Sequence, residues 1–309
     1  MQNKYAVVFP GQGSQTIGML KELAVEYPLV RDTFYEASTV LDYDLWDLAQ
    51  NGPEEKLNRT EFTQPALLAA GVAVWRVWCS KNQTKPSFLA GHSLGEYTAL
   101  VCSEAIAFKT AIKLVQARGR FMKNAYHGEG AMVAIVGLDD YRINEVCDSA
   151  RQNDVLVVAN YNSIGQTVLA GDLAAANRAI EIAKNLGAKI AKILPVSIPS
   201  HCLLMKSVAE KLAELLQQTV IALPKIPVIH NASVVYYNDP QKIRDVLIRQ
   251  IYSPVHWVAI IQFIVKSGVK YILECGPGKV LTGLNKRING EIIVDFIGEP
   301  QKILNYLTN

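Results

Sequence analysis

The sequence predicts an α/β fold: a largely parallel sheet covered by helices and interrupted by a small insert. Three observations predict it. Short apolar runs of strand length alternate with stretches of helical periodicity along the 309 residues. Between about 131 and 196 the order becomes β-α-β-β-α-β, that of a ferredoxin-like unit. Gly128, Gly130 and Pro195 punctuate the borders of that stretch.

Each element follows from its local pattern. Tyr5–Phe9 is a first strand running into the loop Pro10-Gly11-Gln12-Gly13-Ser14-Gln15, with a helix from about Ile17 to Tyr27 after it. A long apolar helix covers Glu61–Ser80, with Pro65 near its first turn. The short strand Ser87–Ala90 meets Gly91-His92-Ser93-Leu94-Gly95, and a helix begins near Leu94. Another helix spans Phe108–Asn124. The insert reads as strand Ala131–Val136, helix Asp140–Gln152, strands Val155–Tyr161 and Gln166–Ala170, helix Leu173–Leu186 and strand Lys189–Val196. After it come helix Leu203–Gln218, strand Ile226–Ile229, helices Lys242–Tyr252 and Val255–Ser267, and strand Tyr271–Glu274. The expected division is one large α/β unit, 1–127 with 198–309, and a small one, 128–197.

Composition narrows the class. Half of the residues are apolar and 19% are charged, which excludes a wholly disordered chain. The 31 Lys and Arg against 28 Asp and Glu leave +3, too weak a balance to argue for nucleic acid or a membrane surface. The longest apolar run, Ala66–Trp75, falls well short of the roughly 18 residues that span a bilayer. Met1–Lys4 leads straight into a strand, without the parts of an export signal. The five cysteines are odd in number and none forms a C-x-x-C pair, which argues against a disulfide framework or zinc site and for the reducing cytoplasm.

Gly91-His92-Ser93-Leu94-Gly95 matches G-x-S-x-G, with a strand before it and a helix after it. Such an elbow lifts the serine oxygen to the front of a new helix, whose free N–H groups can hold an oxyanion. The catalytic reading, in an α/β-hydrolase-like core, is favoured over a plain turn containing serine. A serine hydroxyl needs a base. His201 follows a strand end in Pro199-Ser200-His201-Cys202, a loop position of the kind that often carries catalytic groups. His92 ordinarily points away from its neighbouring serine in an elbow. His127 follows a helix end and reads as exposed, while His230 and His256 in apolar surroundings read as hydrogen-bonded structural residues. The acids between Ser93 and His201 fall mainly on helices of the insert, and none stands in a loop beside His201. An ordinary hydrolase triad is therefore less favoured. The loop Gly11-x-Gly13 fails the G-x-G-x-x-G spacing, Gly276-Pro277-Gly278-Lys279 fails the P-loop spacing, and no metal-ligand cluster appears.

Five stretches together resemble the bacterial malonyl-CoA:acyl carrier protein transacylases, the discrete enzymes of type II fatty acid synthesis. They are Tyr5–Leu20 (YAVVFPGQGSQTIGML), Gly91–Val101 (GHSLGEYTALV), Gln116–Met122 (QARGRFM), Val196–Cys202 (VSIPSHC) and Gly276–Thr282 (GPGKVLT). The resemblance implies a Ser–His dyad, with Ser93 as nucleophile and His201 as general base. It implies that a backbone carbonyl at Gln250 fixes the imidazole tautomer, which would account for the missing acid. It implies an oxyanion hole from the N–H groups of Gln12 and Leu94, and a malonate-binding arginine at Arg118. A guanidinium grips a carboxylate with two parallel hydrogen bonds that lysine cannot copy; the bland alternative is a salt bridge to a structural acid. Arg120 points to another face and reads as structural or surface. His92, Met122, Asn160, Asn162 and Gln166 are taken to line the pocket, a turn role staying equally open for the two asparagines. Cys202 reads as a small buried residue.

The implied substrates are malonyl-CoA and a separate, acidic acyl carrier protein, with no cofactor beyond the groups those substrates carry. Nucleic acid and membrane are not expected as partners, and the chain is taken as a monomer. Lys184, Lys189, Lys192, Lys279, Lys286 and Arg287 are candidates for a basic docking rim, a solvated surface being the blander reading for each. The rival readings are an acyltransferase serving polyketide synthesis, a serine hydrolase or thioesterase, and a silent carrier-binding subunit.

Overall fold

The computed structural model describes residues 4–125, 128–196 and 198–307. His127 and Ser197, the latter within the Val196–Cys202 motif, lie outside the described residues.

The chain opens with β1 (Tyr5–Phe9), followed by α1 (Lys21–Glu26), α2 (Leu29–Ser38), α3 (Leu45–Asn51), α4 (Glu54–Leu57) and α5 (Thr60–Lys81). β2 (Phe88–Gly91), α6 (Gly95–Cys102) and α7 (Phe108–Lys123) come next. Periodicity overran the start of α1: Gly18 and Leu20 both hold positive φ, so the chain turns there and the helix begins at Lys21. The short helices α2, α3 and α4 have no counterpart in the sequence reading, because turn signals at Pro28, Asp44 and Gly52-Pro53 cut their pattern into pieces. α5 is buried along most of its length, which is why its composition is apolar all round rather than striped. It begins at Thr60, so Pro65 sits past the first turn, inside the helix.

Next come β3 (Gly130–Val136), α8 (Asp140–Arg151), β4 (Leu156–Ser163), β5 (Gln166–Asp172), α9 (Leu173–Asn185) and β6 (Ile190–Ile193). They form an antiparallel sheet in the order β4-β5-β3-β6, the ferredoxin-like arrangement. β6 is shorter than expected, a sheet-edge strand that pairs with β3 and ends before Pro195. Val133, Ile135 and Leu169 pack under α8 and α9, while Met132, Val168 and Ala170 face Cys202 on the other side. Period-two alternation therefore turns one face of this sheet toward the large unit.

A single 3₁₀ turn at Leu203–Met205 precedes α10 (Lys206–Gln218), β7 (Val228–Ile229), α11 (Pro240–Gln250) and α12 (Trp257–Lys266). β8 (Tyr271–Glu274), α13 (Val280–Ile288), β9 (Ile293–Phe296) and α14 (Pro300–Leu307) complete the chain. The large sheet runs β7-β2-β1-β8-β9 with every pairing parallel. Its central strand β1 is buried on both faces: Val7 and Phe9 enter the core cluster containing α5, Ala6 and Val8 the one containing α12. The small sheet meets the large unit just before α12, where Tyr161 N–H donates to Val255 O at 3.0 Å and Val255 N–H to Ala159 O at 2.9 Å. Among the described residues no helix is long and apolar enough to cross a membrane, and the five cysteines are free thiols.

Candidate active site

Ser93 stands between β2 and α6 with φ +50, a left-handed conformation that costs an ordinary residue about 1–2 kcal/mol. Steric necessity explains the two flanking glycines. A Cβ on Gly91 would lie 1.9 Å from the Gly95 carbonyl, and one on Gly95 would lie 2.2 Å from Phe9 O. Tying down the strained turn, Ser93 N–H donates to Asn231 Oδ1 at 2.7 Å and Asn231 Nδ2 donates to Gly91 O at 2.7 Å.

His201, also at positive φ, reaches Ser93 from 108 residues away. Ser93 Oγ lies 2.8 Å from His201 Nε2, and His201 Nδ1 lies 2.8 Å from the Gln250 carbonyl. That carbonyl is free because it ends α11, where the last C=O groups lack intrahelical donors. Nδ1–H thus donates to Gln250 O, leaving Nε2 to accept the serine proton. Burial, and then the charge of Arg118, hold the imidazole pKa down from 6.5 to about 3. The ring is therefore neutral at physiological pH and competent as a base.

Arg118 points inward from α7 and is almost fully buried. Gly119 makes this approach possible: a Cβ there would lie 2.7 Å from Glu61 Cα on α5. Nη1 donates to Gln64 Oε1 at 2.8 Å and Nη2 to Gln250 Oε1 at 3.1 Å. Nη2 also stands 3.5 Å from Ser93 Oγ, and the guanidinium carbon lies 5.5 Å from the Tyr97 ring centre. Amide oxygens, the Ser93 hydroxyl and a ring are these partners, so Arg118 forms no salt bridge to a structural acid among the described residues. Nε has no hydrogen-bond partner. A buried cation without a direct carboxylate is costly, and the cost falls when an anionic ligand arrives. Arg120, two residues on, is exposed.

These groups line a cavity of about 400 Å³ between the two sheets. Gln12 and Leu94 are on its wall, Leu94 at the opening of α6 where a backbone N–H has no intrahelical acceptor. Gly11 lets the Gln12 loop press against the elbow, since a Cβ on it would meet His92 O at 2.5 Å. His92 and Met122 line the cavity as expected, His92 Nε2 standing 2.8 Å from Asn162 Oδ1. Asn160 and Asn162 also line it, on alternate positions of β4 beside a bulge. Gln166 does not, which corrects the sequence expectation. It begins β5 beyond the turn, and its Oε1 accepts from Arg287 Nη2 at 3.1 Å outside the cavity. Cys202 is fully buried. Of the basic rim candidates none lines the cavity; the cations that line it besides Arg118 are Arg59 and Lys123, both paired with Glu61.

Sequence reasoning missed a layer behind the site. Glu96, in the first turn of α6, is completely buried and receives His230 Nδ1 at 2.7 Å, Asn231 N–H at 2.9 Å and Gln250 Nε2 at 2.8 Å. Its signal was a carboxylate inside an otherwise apolar helix segment, Gly95–Cys102. Gln64 gave none. His256 is half-buried and stacks on Tyr161.

The acyl transferase domain family matches residues 6–284. The malonyl CoA-acyl carrier protein transacylase of Salmonella typhimurium is 50% identical over 306 residues, covering 99% of each chain. The solved malonyl CoA-acyl carrier protein transacylase of Coxiella burnetii superposes with a TM-score of 0.97 at 48% identity, over 99% of this chain and 97% of that one. A malonyl-transacylase solved in complex with a type II polyketide synthase acyl carrier protein superposes equally well, at 0.97 and 49% identity over 99% of each chain.

Proposed function

The chain belongs to the acyl transferase domain family, alongside the malonyl CoA-acyl carrier protein transacylases, and from that premise we propose that it moves a malonyl group from malonyl-CoA to the phosphopantetheine thiol of an acyl carrier protein. The observation that carries the substrate assignment is Arg118: a buried guanidinium held by amide oxygens, 3.5 Å from Ser93 Oγ, with capacity left for an incoming carboxylate. In this reading Ser93 Oγ attacks the thioester carbonyl while His201 Nε2 takes its proton. The N–H groups of Leu94 and Gln12 hold the oxyanion. The C–S bond breaks, His201 returns the proton to the leaving thiolate, and a malonyl-serine ester remains. The carrier thiol then gives its proton to His201 and attacks that ester; the C–O bond to Ser93 breaks, His201 returns the proton to Ser93 Oγ, and one acyl-enzyme thus serves both halves in ping-pong order. Arg118 orients the malonyl carboxylate throughout.

The reaction fits the cytoplasm and supplies fatty acid elongation. The two sheets support the division into 1–127 with 198–309 and 128–197. A polyketide carrier is a second reading, favoured by the likeness to a transacylase bound to such a carrier. Intact-mass measurement after mixing with malonyl-CoA tests the proposal. Wild type should gain one malonyl group and Ser93→Ala none; an undiminished adduct on Ser93→Ala would remove Ser93. Adding a holo carrier protein should move the malonyl group onto its thiol, whereas free malonate would mark a hydrolase.

A further inference from the structure

We propose that Glu96 and His230 are positioning residues for malonyl selectivity, acting on Arg118 through the side chain of Gln250. The inference rests on the reading of Arg118 as the carboxylate-binding group. Glu96, His230, Asn231 and Gln250 are all completely buried, and neither Glu96 nor His230 lines the cavity. A buried acid must be held by donors, and here both oxygens are taken. Oε1 accepts from His230 Nδ1, and Oε2 accepts from Asn231 N–H and Gln250 Nε2.

The polarity of this arrangement is what matters. Gln250 stands between Glu96 and Arg118, and its amide can face either way. Glu96 Oε2 and Ser93 O, the latter 3.0 Å from Gln250 Nε2, are both acceptors, so the amide NH₂ must turn toward them. Its oxygen is thereby left facing Arg118 Nη2 at 3.1 Å. Reversed, the NH₂ would oppose the guanidinium donor to donor. His230 pins the carboxylate that sets this choice. A direct Glu96–Arg118 pair would occupy the guanidinium and compete with the substrate carboxylate. The interposed amide orients Arg118 without neutralising it. Gln250 then serves both halves of the site, its carbonyl on His201 and its side chain on Arg118.

The test is Ser93 acylation from malonyl-CoA and from acetyl-CoA, followed by intact mass and expressed as a kcat/KM ratio. Gln250→Met keeps the carbonyl for His201 and much of the volume but removes the amide. Glu96→Ala removes the acceptor that orients it. Both should lower the malonyl-to-acetyl ratio about tenfold or more, the scale of a lost hydrogen bond to a charged group. Glu96→Gln should return the ratio toward wild type. Its oxygen can occupy the Oε2 place while its NH₂ donates to a neutral His230 Nδ1, the imidazole proton moving to Nε2, which has no partner now. A merely structural role would lower both acyl rates together. That outcome, or an unchanged ratio in Gln250→Met, overturns the inference. Gln250→Met decides alone if Glu96→Ala does not fold. A wild-type protein that forms no malonyl adduct overturns the transferase reading itself, and this inference with it.

Discussion

His201 should make the fold measurably acid-sensitive, and the size of the effect follows from its surroundings. Burial and the Arg118 charge hold its pKa near 3 in the folded protein, against 6.5 when free. Between those values the unfolded chain binds a proton that the folded protein does not. Stability therefore rises with pH across that window and falls as pH drops from 6.5 toward 3, by about 1.4 kcal/mol per pH unit once well below 6.5. From pH 7.5 to 4.5 the loss from this one group is about 2.5 kcal/mol. The perturbation is His201→Gln, and the assay is urea unfolding of both proteins across that range. Other titrating groups, including the buried His92, contribute to both curves and cancel in the difference. Wild type should lose stability faster than the variant as pH falls, the gap between them closing or inverting by about that amount. Parallel curves would show that His201 titrates normally and would refute its being held neutral by burial and Arg118. The same reasoning places the acid limb of kcat/KM for Ser93 acylation below pH 5, since that quantity reports the free enzyme; a limb near 6.5 would refute it too.

Replacing Arg118 by Ala should cost about 2–5 kcal/mol in malonyl transfer, read from kcat/KM, and much less with acetyl-CoA. Gly119→Ala should destabilise by about 1–3 kcal/mol, seen as a lower Tm, because the new Cβ meets the α5 backbone at Glu61 and Thr60. Asn231→Ala should cost about 1–3 kcal/mol in urea unfolding, because Ser93 N–H and Gly91 O lose their partner. It should slow acylation by malonyl and acetyl alike, in contrast to Gln250→Met.

Much of the fold was legible because its signals are local. β1, α7, the elbow and the β-α-β-β-α-β order each follow from periodicity or from glycine placement within a dozen residues. α2, α3 and α4 were not legible: helices of 4 to 10 residues broken by turn signals carry too little pattern. β9 pairs with β8 at the edge of the large sheet, and its short run Ile293–Phe296 announces itself only once β8 is in place. Ser93 is legible in the G-x-S-x-G spacing and His201 in its loop position, whereas the role of Arg118 comes from the family resemblance. Asn160, Asn162 and Gln166 stand near one hairpin, and only side-chain direction decides that the two asparagines line the cavity and Gln166 does not.

The sequence by itself determined the two sheets, the strained serine turn and the residue types that chemistry at that turn would need. These are short-range consequences of backbone sterics and of apolar burial. The tertiary structure alone decided which groups face one another. Whether Arg118 met a carboxylate or two amide oxygens depended on α5, α7 and α11 converging, and whether Glu96 reached it directly or through Gln250 depended on a single amide between them. Hydrogen-bond polarity is a property of groups already brought within 3 Å, and no periodicity along the chain encodes it.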